Sequence, residues 1–252
     1  MDEFKDKVTI ITGAAGTGIG GAVAAAFAKE GARVVVSDSH AKRPFALAEE
    51  LEKKCGVETL GLKCDVRVKT DVEDMIAATL DKWGRIDILI NNAGIDQPVP
   101  IWEMSDDVWN LVIDVNLTGC FYCCRAVLPT MIKQNYGKIV NVSSAAAFLG
   151  DKDDGAAYVT AKAGVMGLTR AIACQVGEYN INANTIAPGL AFNPFLAKVR
   201  PKDYFDKIKD ERIIKRDGTP EDMANSVLFL ASDKAGFITG ACLDVNGGWV
   251  LR

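Results

Sequence analysis

Along this chain short apolar runs alternate with longer segments in which apolar positions recur every three or four residues. The short runs, of which Val8-Thr-Ile-Ile-Thr12 is typical, are rich in β-branched residues, so they predict strands covered on both faces. They fall at Val8–Thr12, Arg33–Ser37, Glu58–Leu62, Ile86–Asn91, Gly137–Val142, Ile181–Ile186 and Cys242–Val245. The segments between them predict helices at about 19–30, 42–54, 69–83, 105–134, 156–178 and 220–232. Successive parallel strands need a crossover, and helices of this length supply it. The chain is therefore expected to be an α/β protein, with 1–252 forming one domain around a doubly wound, seven-stranded, mainly parallel sheet with helices on both faces.

In such sheets ligands bind outside the carboxyl ends of the strands, where the strand order reverses. The segments following the predicted strands are Gly13–Gly20, Asp38, Asp65, Asn91–Gly94, Ser143-Ser144 and Pro188-Gly189, so the chemically distinctive positions gather at one edge. After the first strand comes Gly13-Ala-Ala-Gly16-Thr-Gly18-Ile-Gly20-Gly21, then an alanine-rich helix. Glycines let the backbone turn tightly and approach an anion, and the first turn of the helix offers free N–H groups to a pyrophosphate. A strand before, a helix after and an acid about 20 residues on make this a Rossmann-type dinucleotide signature. That acid, Asp38, can accept both ribose hydroxyls and would repel a 2′-phosphate, so NAD is expected rather than NADP. His40, Lys42 and Arg43 are the nearby cations that argue the other way. Asp65 follows the third strand, where its carboxylate meets the adenine amino group or caps a turn.

Tyr158 and Lys162, four apart on a predicted helix, share a face. An ammonium beside a phenol that ordinarily titrates near 10 favours the phenolate, which makes the pair a candidate base. Ser144, at the end of the preceding strand, is positioned to hold a substrate oxygen. The loop between them, Asp151-Lys-Asp153-Asp154-Gly155, reads as a solvated turn whose last Asp caps the helix. Residues 95–99, 145–155 and 190–214 should border the substrate. The last of these carries Phe192, Pro194, Phe195 and Leu196 and reads as a lid over a hydrophobic or cyclic alcohol.

Composition narrows the partners. Against 33 acidic residues stand 29 basic ones, a net charge of −4, so there is no basic stripe for a phosphate backbone and nucleic acid is not expected. No apolar run approaches the roughly 18 residues that span a bilayer, and the apolar stretch before Gly13 is too short for a signal-peptide core. A cytoplasmic protein without a membrane partner is expected. His40 is the only histidine, and no metal site is expected. Seven cysteines scattered through apolar segments, Cys120-x-x-Cys123-Cys124 among them, read as buried free thiols.

Together these residues resemble the short-chain dehydrogenase/reductase family over essentially the whole chain. The matching stretches are Thr12-Gly13 to Gly18-Ile-Gly20, Asn91-Asn92-Ala93-Gly94, Val115-Asn116-Leu117, Ser144 with Tyr158 and Lys162, Ala187-Pro188-Gly189, Arg216 to Asp222, and Phe229 through Asn246-Gly-Gly248. The resemblance implies NAD(P)-dependent hydride transfer between a secondary alcohol, or its ketone in reverse, and nicotinamide. It casts Asn116, Ser144, Tyr158 and Lys162 as catalytic, with Tyr158 the base and Asn116 holding a water that links Lys162 to solvent. For the cofactor it implies Gly13, Gly16, Thr17, Gly18, Ile19, Asp38, Asp65, Val66, Asn92, Ala93, Gly94, Pro188 and Gly189, together with Tyr158 and Lys162. Homotetramers or homodimers are common in the family, and the apolar faces of the 105–134 and 156–178 helices suit such assembly. Two alternatives are an NADPH-dependent ketoreductase acting on 3-oxoacyl or sugar ketones, and a non-catalytic nucleotide-binding regulatory protein. The chain departs from the family pattern in its turn, with four residues between Gly13 and Gly18, in one extra residue between Ser144 and Tyr158, and in Asn193 where a threonine is common.

Overall fold

The structure is a computed structural model, and it describes residues 3–149, 155–192 and 202–252. The acidic run Asp151, Asp153 and Asp154 and the lid positions Asn193, Pro194, Phe195 and Leu196 lie outside the described residues. Seven strands form one sheet: β1 (Val8–Thr12), β2 (Arg33–Asp38), β3 (Thr59–Lys63), β4 (Ile88–Asn91), β5 (Gly137–Val142), β6 (Ile181–Pro188) and β7 (Cys242–Val245). Their order is β3-β2-β1-β4-β5-β6-β7, and every pairing is parallel. The expected "mainly parallel" sheet is thus parallel throughout the described residues. The order reverses between β1 and β4, which sets the ligand crevice above their carboxyl ends.

Strands β1, β4, β5 and β6 are buried at every position, as their unbroken apolar pattern requires. Helices α1 (Ile19–Lys29) and α2 (Arg43–Cys55) pack one face of the sheet, and α3 (Lys69–Trp83) packs the other. The predicted 105–134 helix is interrupted: α4 (Asp106–Ile113) passes through one π turn, Asp114–Thr118, into α5 (Gly119–Gln134). A π turn inserts one residue into the helical ladder, and here it holds Asn116. The short α6 (Ala146–Leu149) is not among the predicted helices, and α8 (Lys202–Glu211) falls within the 190–214 stretch expected to form a lid. The remaining helices are α7 (Ala156–Val176), beside α3 and α5, and α9 (Pro220–Ala231), beside α1. Strand β4 starts two residues later than expected, at Ile88; just before it the Asp87 carboxylate accepts the Val8 N–H (2.9 Å) and pairs with the Arg85 guanidinium.

By length and mean hydropathy the helix 106–134 is apolar enough to cross a membrane, although the charged and polar residues along it leave no unbroken apolar run. Its inward residues, Val112, Asn116, Cys120, Cys123, Cys124, Val127 and Met131, are spent on the sheet. All seven cysteines are free, and Cys64, Cys120, Cys123 and Cys124 are buried in the core as expected. Cys174 departs from that expectation, being exposed, and Cys55 and Cys242 are only half-buried.

Candidate active site

The turn after β1 is shaped by close approach. Gly13 has φ +61°, and a Cβ there would stand 2.7 Å from the Ala93 Cα, so only glycine lets the β1 and β4 ends meet this tightly. The Asn92 side chain fastens the junction by donating to the carbonyls of Thr12 (3.0 Å) and Gly13 (2.9 Å), while the Thr12 hydroxyl accepts the N–H groups of Asn92 and Ala93. Helix α1 opens at Gly18 with no side-chain cap and no acid in its first turn. Its first intrahelical bond runs from the Ala22 N–H to the Gly18 carbonyl, so the N–H groups ahead of Ala22 have no helical acceptor. Nothing lies within 4 Å of where a Gly18 Cβ would stand. An uncapped helix start facing open space is what an anionic pyrophosphate requires.

Two cavities flank this turn. One, of about 430 Å³, is lined by Gly13, Asp38, Asp65, Val66, Asn92, Ala93 and Gly94. The other, also about 430 Å³, is lined by Gly13, Gly18, Ile19, Asn92, Gly94, Ser144, Tyr158, Lys162, Pro188 and Gly189. They share Gly13, Asn92, Gly94 and Ile95, forming one groove across the switch point. Gly16 and Thr17 line an adjoining hollow with Arg43, which meets the groove at Gly18. Asp65 lines the groove, and its carboxylate accepts the Arg67 backbone N–H and a forked contact from the Arg67 guanidinium, 2.6–3.1 Å. Asp38 accepts from the Ala15 N–H (3.2 Å) and the His40 N–H (2.9 Å), tying β2 to the glycine turn.

At the other end of the groove α7 carries Tyr158 in its first turn and Lys162 one turn later. The Lys162 ammonium donates to the Val142 carbonyl (2.9 Å) and lies 5.5 Å from the centre of the Tyr158 ring. It is 3% exposed and has no carboxylate in ion-pair range among the described residues. Burial pushes its pKa down to about 8, with the Cys120 thiol acting weakly the other way. The two serines divide their work: buried Ser143 donates its hydroxyl to the Lys162 carbonyl (2.8 Å), whereas half-buried Ser144 faces the cavity and accepts the Ala146 N–H (3.1 Å). The register that selects Ser144 therefore agrees with the geometry.

Asn116 is brought in by the π turn. Its amide N–H groups donate to the carbonyls of Ile95 and Val112, both at 2.8 Å, and its Oδ1 is buried without a protein donor. A Cβ on Gly94 would stand 2.7 Å from that oxygen and 3.1 Å from the Lys162 Nζ, so the missing side chain of Gly94 keeps the two polar groups facing each other. That role was not legible in the sequence. Neither was Trp249, which lines the cavity and donates its indole N–H to Glu211; the signal was its place after the Asn246-Gly-Gly248 turn. A dinucleotide fits these residues: the uncapped α1 start at Gly18 would hold its pyrophosphate, and Tyr158, Lys162, Pro188 and Gly189 would border its reactive ring.

A family profile described as enoyl-(acyl carrier protein) reductase matches residues 13–250. Among curated proteins, the chain is 40% identical to (2S)-[(R)-hydroxy(phenyl)methyl]succinyl-CoA dehydrogenase subunit BbsD of Thauera aromatica, covering 97% of each. It is 37% identical to the 3-oxoacyl-[acyl-carrier-protein] reductase FabG of Staphylococcus epidermidis, over 98% of this chain and 100% of that one. A crystal structure from Sinorhizobium meliloti, assigned as a short-chain alcohol dehydrogenase, superposes with a TM-score of 0.92 at 31% identity, covering 98% of this chain and 97% of the other. These relatives are dehydrogenases and reductases whose length and fold this chain shares. With that match and its glycine turn, Ser144, Tyr158 and Lys162 in one groove, the chain belongs to the short-chain dehydrogenase/reductase family of NAD(P)-dependent oxidoreductases.

Proposed function

We propose that the protein is an NAD-dependent dehydrogenase of a secondary alcohol, cytoplasmic and homo-oligomeric, with 3-hydroxyacyl thioesters as the substrate class to try first. One observation carries the reaction: a single cavity joins Ser144, Tyr158 and Lys162 to the open end of α1. The cofactor, when bound, accepts or returns the hydride. The chain's own task is one proton. Tyr158 as phenolate takes it from the carbinol hydroxyl, Lys162 favours the phenolate by its charge, and Ser144 holds the substrate oxygen. Asn116 Oδ1, beside Lys162, gives a water an acceptor on the path by which that proton leaves. Asp38 favours NAD, because its carboxylate repels a 2′-phosphate. The thioester suggestion rests on relatives named for acyl-CoA or acyl-carrier substrates.

The direct test follows NADH absorbance with NAD and a panel of 3-hydroxyacyl, cyclic and aromatic secondary alcohols. No turnover by any of them, with NAD bound, would favour a silent nucleotide-binding protein instead. A second reading, an NADPH-dependent 3-oxoacyl reductase, draws on Arg43, whose guanidinium borders the hollow beside Gly16 and Thr17. Comparing NAD and NADP affinities separates the two, and Asp38→Ala should relax the preference if Asp38 sets it. Oligomerisation draws support from Trp109, Phe121 and Ile132, exposed along α4 and α5, and light scattering on the purified protein tests it.

A further inference from the structure

A buried cation is normally met by a carboxylate, because an unpaired charge is costly in an interior of low dielectric. Arg212, just past α8, is 3% exposed and has no carboxylate in ion-pair range among the described residues. Its Nη1 donates to the Arg216 carbonyl at 3.2 Å and its Nη2 to the Leu190 carbonyl at 2.7 Å, while its Nε–H is buried with no acceptor. A guanidinium has five N–H donors, so these two bonds leave most of the fork unused. Arg212 lines a cavity of about 380 Å³ that shares Gly189 and Leu190 with the catalytic cavity. The carboxylates lining it are already matched. Asp222 is gripped by Arg216 at 2.6 and 2.7 Å, and Asp244 is held by Arg252 at 2.9 Å. Asp217 acts on Arg212 through space but does not hydrogen-bond the guanidinium. Burial holds the guanidinium below its ordinary pKa, the direction that a missing counter-charge gives.

We propose that this cavity is an anion subsite in which Arg212 takes a carboxylate carried by the substrate, on the arm leading away from the carbinol carbon. A planar guanidinium fork matches the two oxygens of a carboxylate, and the cavity is at the small end of ligand-site volumes, suited to an arm of a substrate. Calling the ligand substrate rests on the dehydrogenase reading; the anion site itself does not.

The test titrates the NADH-saturated protein by calorimetry with succinate, with its neutral diamide and with inorganic phosphate. Saturable succinate binding is expected, with none for the diamide, and the affinity should fall about tenfold or more in Arg212→Met. Because the substitution removes an unpaired buried charge, Arg212→Met should keep or raise the Tm and leave NADH affinity unchanged. Should that variant fail to fold, Arg212→Lys keeps the charge but loses the fork: weaker succinate binding at unchanged Tm supports the subsite, and unchanged binding overturns it. Phosphate binding in place of succinate, or undiminished succinate binding in Arg212→Met, also overturns it. So does a lower Tm with succinate affinity intact, which would make Arg212 a brace between Leu190 and Arg216. A protein that oxidises no alcohol yet binds succinate through Arg212 would sink the dehydrogenase reading and leave the subsite standing. One that oxidises neutral alcohols and ignores succinate would do the reverse.

Discussion

The two ends of strand β5 each meet a buried lysine, one from the strand itself and one from α7, in opposite circumstances. At its amino end Lys138 is 2% exposed, and its ammonium donates to Asn182 at 2.7 Å and lies 3.7 Å from the Asp233 carboxylate. Beside it, fully buried Asp87 is answered by Arg85 and the Val8 N–H. At the carboxyl end Lys162 is equally buried but is held by the Val142 carbonyl, with Asn116 Oδ1 nearby lacking a protein donor. Burial lowers both lysines, yet at Lys138 the Asp233 carboxylate opposes the fall, whereas at Lys162 only a thiol does. One edge of the sheet has matched its charges and is structure. The other holds a costly charge in reserve, the arrangement expected where a proton must move.

The largest test of that contrast removes the acid–base group. Tyr158→Phe keeps the ring and loses the hydroxyl, so kcat for alcohol oxidation should fall by about 10²–10⁴-fold with NAD affinity kept. Turnover near the wild-type rate would end the tyrosinate reading.

Next is the cost of Lys162 itself. Its pKa is lowered from 10.5 to about 8, which corresponds to about 3 kcal/mol of stability forgone while the ammonium stays charged. The sign follows from proton counting. Below pH 8 both folded and unfolded chains hold the proton and the full penalty applies; between 8 and 10.5 the unfolded chain holds a proton that the native one has shed, so stability from this group rises with pH. Lys162→Met should therefore abolish activity yet raise the Tm of the cofactor-free protein at pH 7, and its advantage over wild type should shrink as pH passes from 8 to 10.5. A lower Tm at pH 7 would place Lys162 with Lys138.

Gly94→Ala probes the spacing between the unmatched groups. The new Cβ would meet the Asn116 Oδ1 at 2.7 Å, and the π turn must shift to admit it. A displacement of that order costs about a hundredfold in kcat, while the Tm should change little, and kinetics beside thermal melts would show both.

Much of this was legible in residue order. Short β-branched runs mark strands, so β1, β5 and β7 appear at the predicted bounds, and the distinctive residues after each strand meet at one edge. What escaped were features made by three-dimensional approach. The π turn at Asn116 has no periodic signature, because one inserted residue barely disturbs the apolar repeat. Gly94 looks like any turn glycine until the Asn116 and Lys162 side chains flank it. Thr17 was assigned to the pyrophosphate by likeness, and its sharing a hollow with Arg43 could not be read from residue order. Asp65 was ambiguous between adenine and a cap, and its pairing with Arg67, two residues on, was not anticipated. Arg212 showed nothing, since only tertiary structure reveals that a cation has no partner.

The smallest prediction tests the matched edge. Asp233 is 64% exposed on its side chain, so water screens its pull on Lys138 and its loss should cost only about 1 kcal/mol. Asp233→Asn should lower the Tm slightly, leave kcat and KM unchanged, and push the Lys138 pKa further down, because burial would then act with the carboxylate's opposition gone. In that variant the pH signature assigned to Lys162, an alkaline gain in stability, becomes larger at Lys138 than in the parent, where the Asp233 carboxylate opposes it. Measuring stability against pH from 8 to 10.5 in Asp233→Asn and in Asp233→Asn with Lys138→Met isolates it. If the two curves run parallel, Asn182 alone satisfies Lys138, and it is hydrogen bonding rather than counter-charge that separates the structural lysine from the reactive one.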